Sequence, residues 1–319
     1  MLSRRGFVLA GGALAVAGAG LAGCSDKVRK AIGLGERMVE IEKRQGGRMG
    51  VSAVIGTTAV NGGMNIDSDQ RFAMCSTFKW VLATAILQQA DQGKLKLSQA
   101  VKYGQKDLLD NAPVTKANVA KGQMSVADLC AATIEQSDNT AANLLYPLIG
   151  GPAGLTAFVR GLGDTTTRFD RTEPDLNSNV DKDDRDTTTP RAMSELLQKV
   201  YTGDVLKTDS LAQLKAWMIA CATGTKRIRA SLPVGWTAGD KTGTGANGAA
   251  NDVAVIWPDN GSPIFMTIFT TGGTLDADGR DKVIADTAKV VFDTIGFAQS
   301  LDSEAASDSD SESPAASIS

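Results

Sequence analysis

Apolar and polar positions recur with readable periods over most of the chain. Val8 to Ala22 is a short apolar stretch rich in Ala and Gly. Asp26 to Gly46 has helical spacing with a charged outer face, and Gly46-Gly47 ends it. Met49 to Val60 alternates with period two and predicts a strand; Asn61-Gly62-Gly63 predicts a hairpin turn, and Met64 to Phe72 the return. The run Cys75 to Leu87 predicts a buried helix that stops at Asp91-Gln92-Gly93. Ser125 and Asp128 form a capping-box pattern before Leu129, and further helices follow over Asn139 to Ile149 and Pro152 to Leu162. Periodicity disappears from Gly163 to Thr188, a length at which a structureless loop is usually functional. Thr189-Pro190 restarts a helix as N-cap and first helical residue, and Asp209 to Ala222 is another. Strands return at Trp236 to Gly245, Asp252 to Trp257 and Pro263 to Thr271, with a turn at Pro258-Asp259-Asn260-Gly261, before a last helix from Asp276 to Phe297.

The expected fold class is therefore α/β (α+β). It is a mainly antiparallel sheet built from the N- and C-terminal segments and flanked by helices, with an inserted all-helical subdomain. Residues 26–75 and 225–298 supply the α/β part, residues 76–224 the helical part, and a cleft is expected at the junction.

Composition narrows the chemistry. The 319 residues are 42% hydrophobic, enough for a sizeable core. A net charge of -3 argues against a nucleic-acid partner. The chain has no histidine, so a Ser-His-Asp triad, a Cys-His pair and a His-ligated metal are all excluded. No metal or cofactor is expected. A hydrolase of this composition must use lysine or a carboxylate as its proton acceptor.

Residues 1–23 read as an export signal. Ser3-Arg4-Arg5-Gly6-Phe7-Val8-Leu9 has the twin-arginine form, and Leu21-Ala22-Gly23-Cys24 resembles a bacterial lipobox, which makes Cys24 the expected lipidation site. A periplasmic or cell-surface protein, anchored to the membrane by lipid and monomeric, is expected. The folded domain would span 24–298, and the Ser/Ala/Asp/Glu-rich segment 299–319 is expected to be a disordered acidic tail. Cys75, Cys130 and Cys221 read as small buried hydrophobes rather than a disulfide framework.

Three short motifs carry the chemistry. Ser76 and Lys79 lie three residues apart at the expected helix start, so both share a face and the amine can reach the hydroxyl. Unpaired N–H groups there suit a developing oxyanion. Alone this pattern is weak: about one match is expected by chance in such a chain, and a capping serine with a solvated lysine explains it better. Ser137-Asp138-Asn139 and Lys241-Thr242-Gly243 are rarer, at about 0.05 and about 0.2 chance matches. Each also has a plain reading, as a helix cap and as a solvated edge strand.

Together and in this order, the three are the motif set of class A β-lactamases and penicillin-binding proteins. The chain resembles that penicillin-recognising serine hydrolase superfamily from about Asp26 to Phe297, and local text such as Ser-Asp-Asn-Thr-Ala-Ala-Asn-Leu-Leu adds to the match. Arg171-Thr172-Glu173-Pro174-Asp175-Leu176-Asn177 resembles the Ω-loop of the class A branch. Glu135 and Asn139 share the Glu-x-x-x-Asn spacing, but the surrounding residues favour Glu173.

The resemblance implies hydrolysis of small-molecule β-lactams, penicillins and cephalosporins, through an acyl ester on Ser76. Lys79, or Glu173 through a water, would take the serine proton. Ser137 would relay a proton to the leaving nitrogen. Backbone N–H groups of Ser76 and Thr244 would bind the oxyanion. Asn139 would hold the substrate's side-chain amide, and Glu173 with Asn177 the hydrolytic water. Lys241, Thr242, Gly243 and Thr244 would form the wall facing the substrate carboxylate. Arg227 matches a position where some members place a second cation, while the following strand reads Ala249-Ala250-Asn251 and offers none. An ion pair between Arg171 and Asp186 and a cis bond before Pro174 are also implied.

Three departures from common members stand out. Asn111 occupies the position of an aromatic gatekeeper, which implies a more open cleft mouth. Ala83 and Gly245 occupy positions where some members carry bridging cysteines, so neither bridge is expected. Two other readings compete: a D-alanyl-D-alanine peptidase, which lacks the Glu173 equivalent, and a non-catalytic ligand-binding lipoprotein.

Overall fold

The computed structural model describes the backbone of residues 8–10, 23–56 and 63–311, and side chains over 29–56 and 64–297. Six antiparallel strands form the main sheet: β1 (Val8–Ala10), β2 (Arg48–Ile55), β3 (Gly63–Ile66), β4 (Thr237–Thr244), β5 (Ala250–Trp257) and β6 (Ile264–Thr271), in the order β1-β3-β2-β6-β5-β4. Strands from both ends of the chain thus meet at the β2–β6 pair, where Met49 opposes Thr270 and Ile55 opposes Ile264.

Helices α1 (Gly23–Gln45) and α8 (Ala277–Ser311) cover one face. Leu34, Met38 and Ile41 of α1 and Val283, Ile284 and Val291 of α8 pack with Met49, Val51, Ala53 and Ile268 of the sheet. The inserted helices cover the other face. They are α2 (Phe78–Asp91), α3 (Val126–Glu135), α4 (Asn139–Leu145), α5 (Gly151–Gly161), α6 (Pro190–Thr202) and α7 (Thr208–Ile219). Trp80, Leu82 and Ile86 of α2, buried from Phe78 to Leu87, anchor that second core, which reaches Val253, Val255, Phe265 and Phe269 of the sheet.

Both faces of β2 are covered, as a sheet flanked by helices requires. Gly50 and Ser52 point at α6. A Cβ on Gly50 would lie 2.6 Å from the Phe72 ring and 2.7 Å from Pro190, and the Ser52 hydroxyl is 2.7 Å from that of Ser194. These small residues are the ones that let a helix approach.

Both terminal segments carry backbone structure of their own. Within the expected export signal, Val8–Ala10 forms an edge strand opposite Gly63–Asn65; Arg4, Arg5, the rest of that signal and the Cys24 side chain lie outside the described residues. The expected disordered tail is helical backbone as far as Ser311. The helix continues out of its packed segment because no Gly or Pro interrupts 297–311, and extension adds one hydrogen bond per residue fixed. Residues 312–319 and the expected hairpin turn at 61–62 lie outside the described residues. Among the described residues no single helix is long and apolar enough to cross a membrane.

Candidate active site

Ser76 sits in a single 3-10 turn, Cys75–Thr77, that runs straight into α2. Cys75 holds φ at +47°, an unusual conformation for a residue with a Cβ. The turn is pinned from several sides. Thr77 Oγ1 donates to Met74 O at 2.8 Å, and Asn251 Nδ2 donates to Ala73 O at 2.8 Å and Met74 O at 3.1 Å. Strand β4 lies so close that a Cβ on Gly243 would be 2.6 Å from Met74 O. One on Gly245 would be 2.6 Å from Cys75 Sγ and 2.7 Å from Asn177 O. The glycine of Lys-Thr-Gly is therefore a packing requirement: any side chain there would push the carboxylate wall away from the nucleophile.

Lys79 has no solvent exposure. Its Nζ lies 3.0 Å from Ser76 Oγ, 2.8 Å from Ser137 O, 3.3 Å from Ser137 Oγ, 2.5 Å from Asn139 Oδ1 and 3.0 Å from Glu173 Oε1. Burial lowers its pKa to about 8, with Lys241 pulling the same way and Glu173 opposing. A neutral amine has two N–H bonds and one lone pair. Ser137 O and Asn139 Oδ1 make the two shortest contacts, which leaves the lone pair for Ser76. Ser76 Oγ in turn lies 3.2 Å from Glu173 Oε1. Two proton acceptors thus reach one hydroxyl.

The Ser137-Asp138-Asn139 turn satisfies both of its readings. Asp138 is a true N-cap, accepting from Ala141 N at 2.8 Å. Its carboxylate also accepts from Val114 N, Thr115 N and Thr115 Oγ1, tying α4 to the 111–115 segment. Ser137 adopts φ +54°, which turns its carbonyl toward Lys79 while its hydroxyl lies 3.0 Å from Lys241 Nζ. Asn111 is exposed at the cleft mouth, and its Nδ2 donates to Ser137 O at 3.0 Å. The residue in the gatekeeper position is an anchor for the turn.

The loop over 163–188 is closed at its neck. Arg171 Nε donates to Asp186 Oδ2 at 2.5 Å, and Asp170 N and Arg171 N donate to Asp186 Oδ1 at 2.8 and 2.9 Å. The Glu173-Pro174 bond is cis. Asn143 of α4 clamps the backbone of Glu173 from both sides: Nδ2 donates to Glu173 O at 2.8 Å and Oδ1 accepts from Glu173 N at 3.0 Å. Asn177 Nδ2 donates to Glu173 Oε2 at 2.5 Å, and Asn177 Oδ1 is buried with no protein partner. Asn143 went unassigned in the sequence, although a polar residue between Ala142 and Leu144-Leu145 was the available signal. Glu135 lies elsewhere, lining a separate cleft with Asn118 and Gln136.

On the opposite wall Lys241, also without exposure, donates to Ser137 Oγ and to Thr242 O at 2.9 Å. Thr242 and Thr223 share a 2.6 Å hydrogen bond. Arg227 is buried and spans the strand ends: it donates to Gly243 O at 2.9 Å, Asn251 O at 2.6 Å and Thr244 Oγ1 at 2.8 Å, and pairs with Asp281 at 2.7 Å. Behind Lys241 lie two fully buried carboxyl groups, Asp240, paired with Arg229 at 2.6 Å, and Asp252. Burial raises the pKa of both, and Asp240 raises that of Asp252 further. Cys75, Cys130 and Cys221 are free buried thiols.

The family model of the "Beta-lactamase enzyme family" matches residues 33–295. Curated relatives include beta-lactamase OXY-2 of Klebsiella oxytoca, 43% identical over 80% of this chain and 87% of its own length. Beta-lactamase CTX-M-8 of Citrobacter amalonaticus is 43% identical over 81% and 88%. Among solved structures, the last common ancestor of Gram-negative bacteria (GNCA4) beta-lactamase class A is 51% identical. It superposes with a TM-score of 0.79 over 82% of this chain and 99% of that one. A beta lactamase from Burkholderia vietnamiensis is 44% identical, with a TM-score of 0.77 over 81% and 94%.

Proposed function

The chain belongs to the class A serine β-lactamase family, a membership from which we infer how its own residues open a β-lactam ring. The reaction is hydrolysis of the cyclic amide of penicillins and cephalosporins, which confers resistance to these antibiotics. The observation that carries the residue assignment is the meeting of Ser76, Lys79 and Glu173 within 3.2 Å of one another in a chain without histidine.

Ser76 attacks the lactam carbonyl and passes its proton to Lys79 or to Glu173, both of which lie within reach. Backbone N–H groups of Ser76 and Thr244 receive the oxyanion. Ser137, between the two lysine amines, hands a proton to the departing ring nitrogen. Deacylation needs a water directed at the ester. Glu173 and the unpartnered Asn177 Oδ1 offer that water an acceptor each, and Glu173 takes its proton. Asn139 meets the substrate amide, while Lys241, Thr242 and Thr244 meet its carboxylate. Arg227 acts through Thr244: by donating to Oγ1 it leaves the threonine proton free to point into the cleft.

Purified protein should turn over a chromogenic cephalosporin many times, and Ser76→Ala should abolish this. One turnover per chain would support the peptidase reading, and none the binding-protein reading.

Export through Arg4-Arg5 and lipidation of Cys24 complete the proposal, with the enzyme a monomer held at the membrane on the periplasmic side or at the cell surface. Cleavage before Cys24 removes β1 and leaves β3 as the sheet edge. Cys24→Ala should move active enzyme from the membrane to the soluble fraction; an unchanged membrane fraction would point to an uncleaved apolar anchor.

A further inference from the structure

Asn143, whose amide clamps Glu173, is followed three residues later by Tyr146, on the same face of the helix and of the turn that continues it. Tyr146 is 2% exposed, and its ring lies flat on Phe78, with centroids 5.6 Å apart and planes at 8°. Phe78 is the neighbour of Lys79, so the phenol is fixed against the catalytic helix, one turn beyond the Asn143 amide that holds the backbone of Glu173. Its hydroxyl is buried and meets no protein partner. Burial pushes the phenol well above the usual tyrosine range, and the charges of Asp186 and Glu173 add to this.

Neither carboxylate accepts a hydrogen bond from it. Asp186 is taken by Arg171 and two backbone N–H groups. Glu173 is taken by Ser76, Lys79 and Asn177. A buried hydroxyl left unpaired is costly, and a buried water with two to four polar partners is the common way to satisfy one.

We propose that Tyr146 holds an ordered water against the floor of the loop beneath Glu173, and that this water helps to fix the height at which the Glu173 carboxylate sits. Tyr146 is a positioning residue: it acts through the loop and touches no reacting atom. The proposal rests on Glu173 being the base of deacylation.

Tyr146→Phe keeps the ring and its stack and removes only the hydroxyl. Deacylation should slow by roughly threefold to tenfold, the range expected for one lost hydrogen bond, with acylation unchanged. Amide exchange over 171–178 should quicken. A high-resolution crystal structure of the wild-type protein should show a water within hydrogen-bonding distance of Tyr146 Oη that the variant lacks. A variant that melts at or above the wild-type temperature, with unchanged deacylation and exchange, would overturn the proposal, because removing a truly unpartnered hydroxyl relieves a desolvation cost. Equal losses in acylation and deacylation would also overturn it, by reducing Tyr146 to a packing residue. If wild-type protein turns over β-lactams and Tyr146→Phe behaves identically, only this proposal fails; if wild-type protein does not turn over at all, the functional reading fails with it.

Discussion

Two lysines without solvent exposure, Lys79 and Lys241, sit on either side of the Ser137 hydroxyl, and their surroundings differ in one decisive respect. Lys79 faces Glu173 at 3.0 Å, so its charge is cancelled locally and a proton can move between ammonium, serine and carboxylate. Lys241 forms no ion pair among the described residues and has two oxygen partners, Ser137 Oγ and Thr242 O. Of the carboxyl groups behind it, Asp240 is committed to Arg229, and burial and Asp240 keep the pKa of Asp252 high. Burial depresses the pKa of both lysines, yet only Lys79 has a carboxylate within reach for proton exchange. In the mechanism proposed above, Lys241 holds the substrate carboxylate instead. Burial alone therefore does not assign a role; the neighbouring carboxylate does.

The largest expected effect breaks the first half of this contrast. Lys79→Ala should slow acylation by about 10²–10⁴-fold, the usual loss for a general base, as read by single-turnover stopped flow. An equal loss in the same step from Lys241→Ala would erase the distinction between the two amines.

Lys241→Ala should instead raise KM for carboxylate-bearing substrates. Loss of one charged hydrogen bond is worth about 1.5–3 kcal/mol, or roughly 10- to 100-fold. A substrate whose carboxylate is esterified should feel little of this change. If acid and ester lose equally, Lys241 is not the carboxylate's partner.

Arg227→Ala should move the same parameter by less, about 1.5 kcal/mol, because Asp281 already offsets the guanidinium charge. Wild-type kinetics in this variant would make Arg227 a structural strut for Gly243 and Asn251 alone.

The smallest effect sharpens the contrast through pH. With the Lys79 pKa near 8, the neutral amine grows as pH rises, so acylation by that base should increase by about fivefold from pH 7 to 8 and level off above. A flat profile in that window would assign the proton to Glu173.

Much of this site was legible in the chain because its motifs are local. Ser76 and Lys79 share a helix face, Ser137 to Asn139 are contiguous, and the expected cis bond before Pro174 and the Arg171–Asp186 pair are both present. What escaped reading depends on distant segments meeting. The turns in which Cys75 and Ser137 hold positive φ accept hydrogen bonds from Asn251, Thr77 and Asn111, none of which announces this role in sequence. Gly243 and Gly245 matter because β4 runs against the nucleophile turn, a contact that spacing along the chain does not encode. Arg227 matched a cationic position, but its partner Asp281 lies 54 residues away. Gly50 and Ser52 of β2 likewise matter because α6 packs over them, which local period does not encode.

The division of labour around Ser76 comes down to one variant. In the mechanism proposed above, acylation draws on Ser76, Lys79, Ser137 and the oxyanion N–H groups, whereas deacylation rests on Glu173, helped by Asn177. Glu173→Ala should still react with a penicillin and then stall, with deacylation down by about 10²–10⁴-fold. Intact-mass spectrometry should show a long-lived adduct of one drug per chain, absent from a Ser76→Ala control. Turnover of Glu173→Ala at close to the wild-type rate, or a stable adduct on the wild-type enzyme itself, would contradict this assignment.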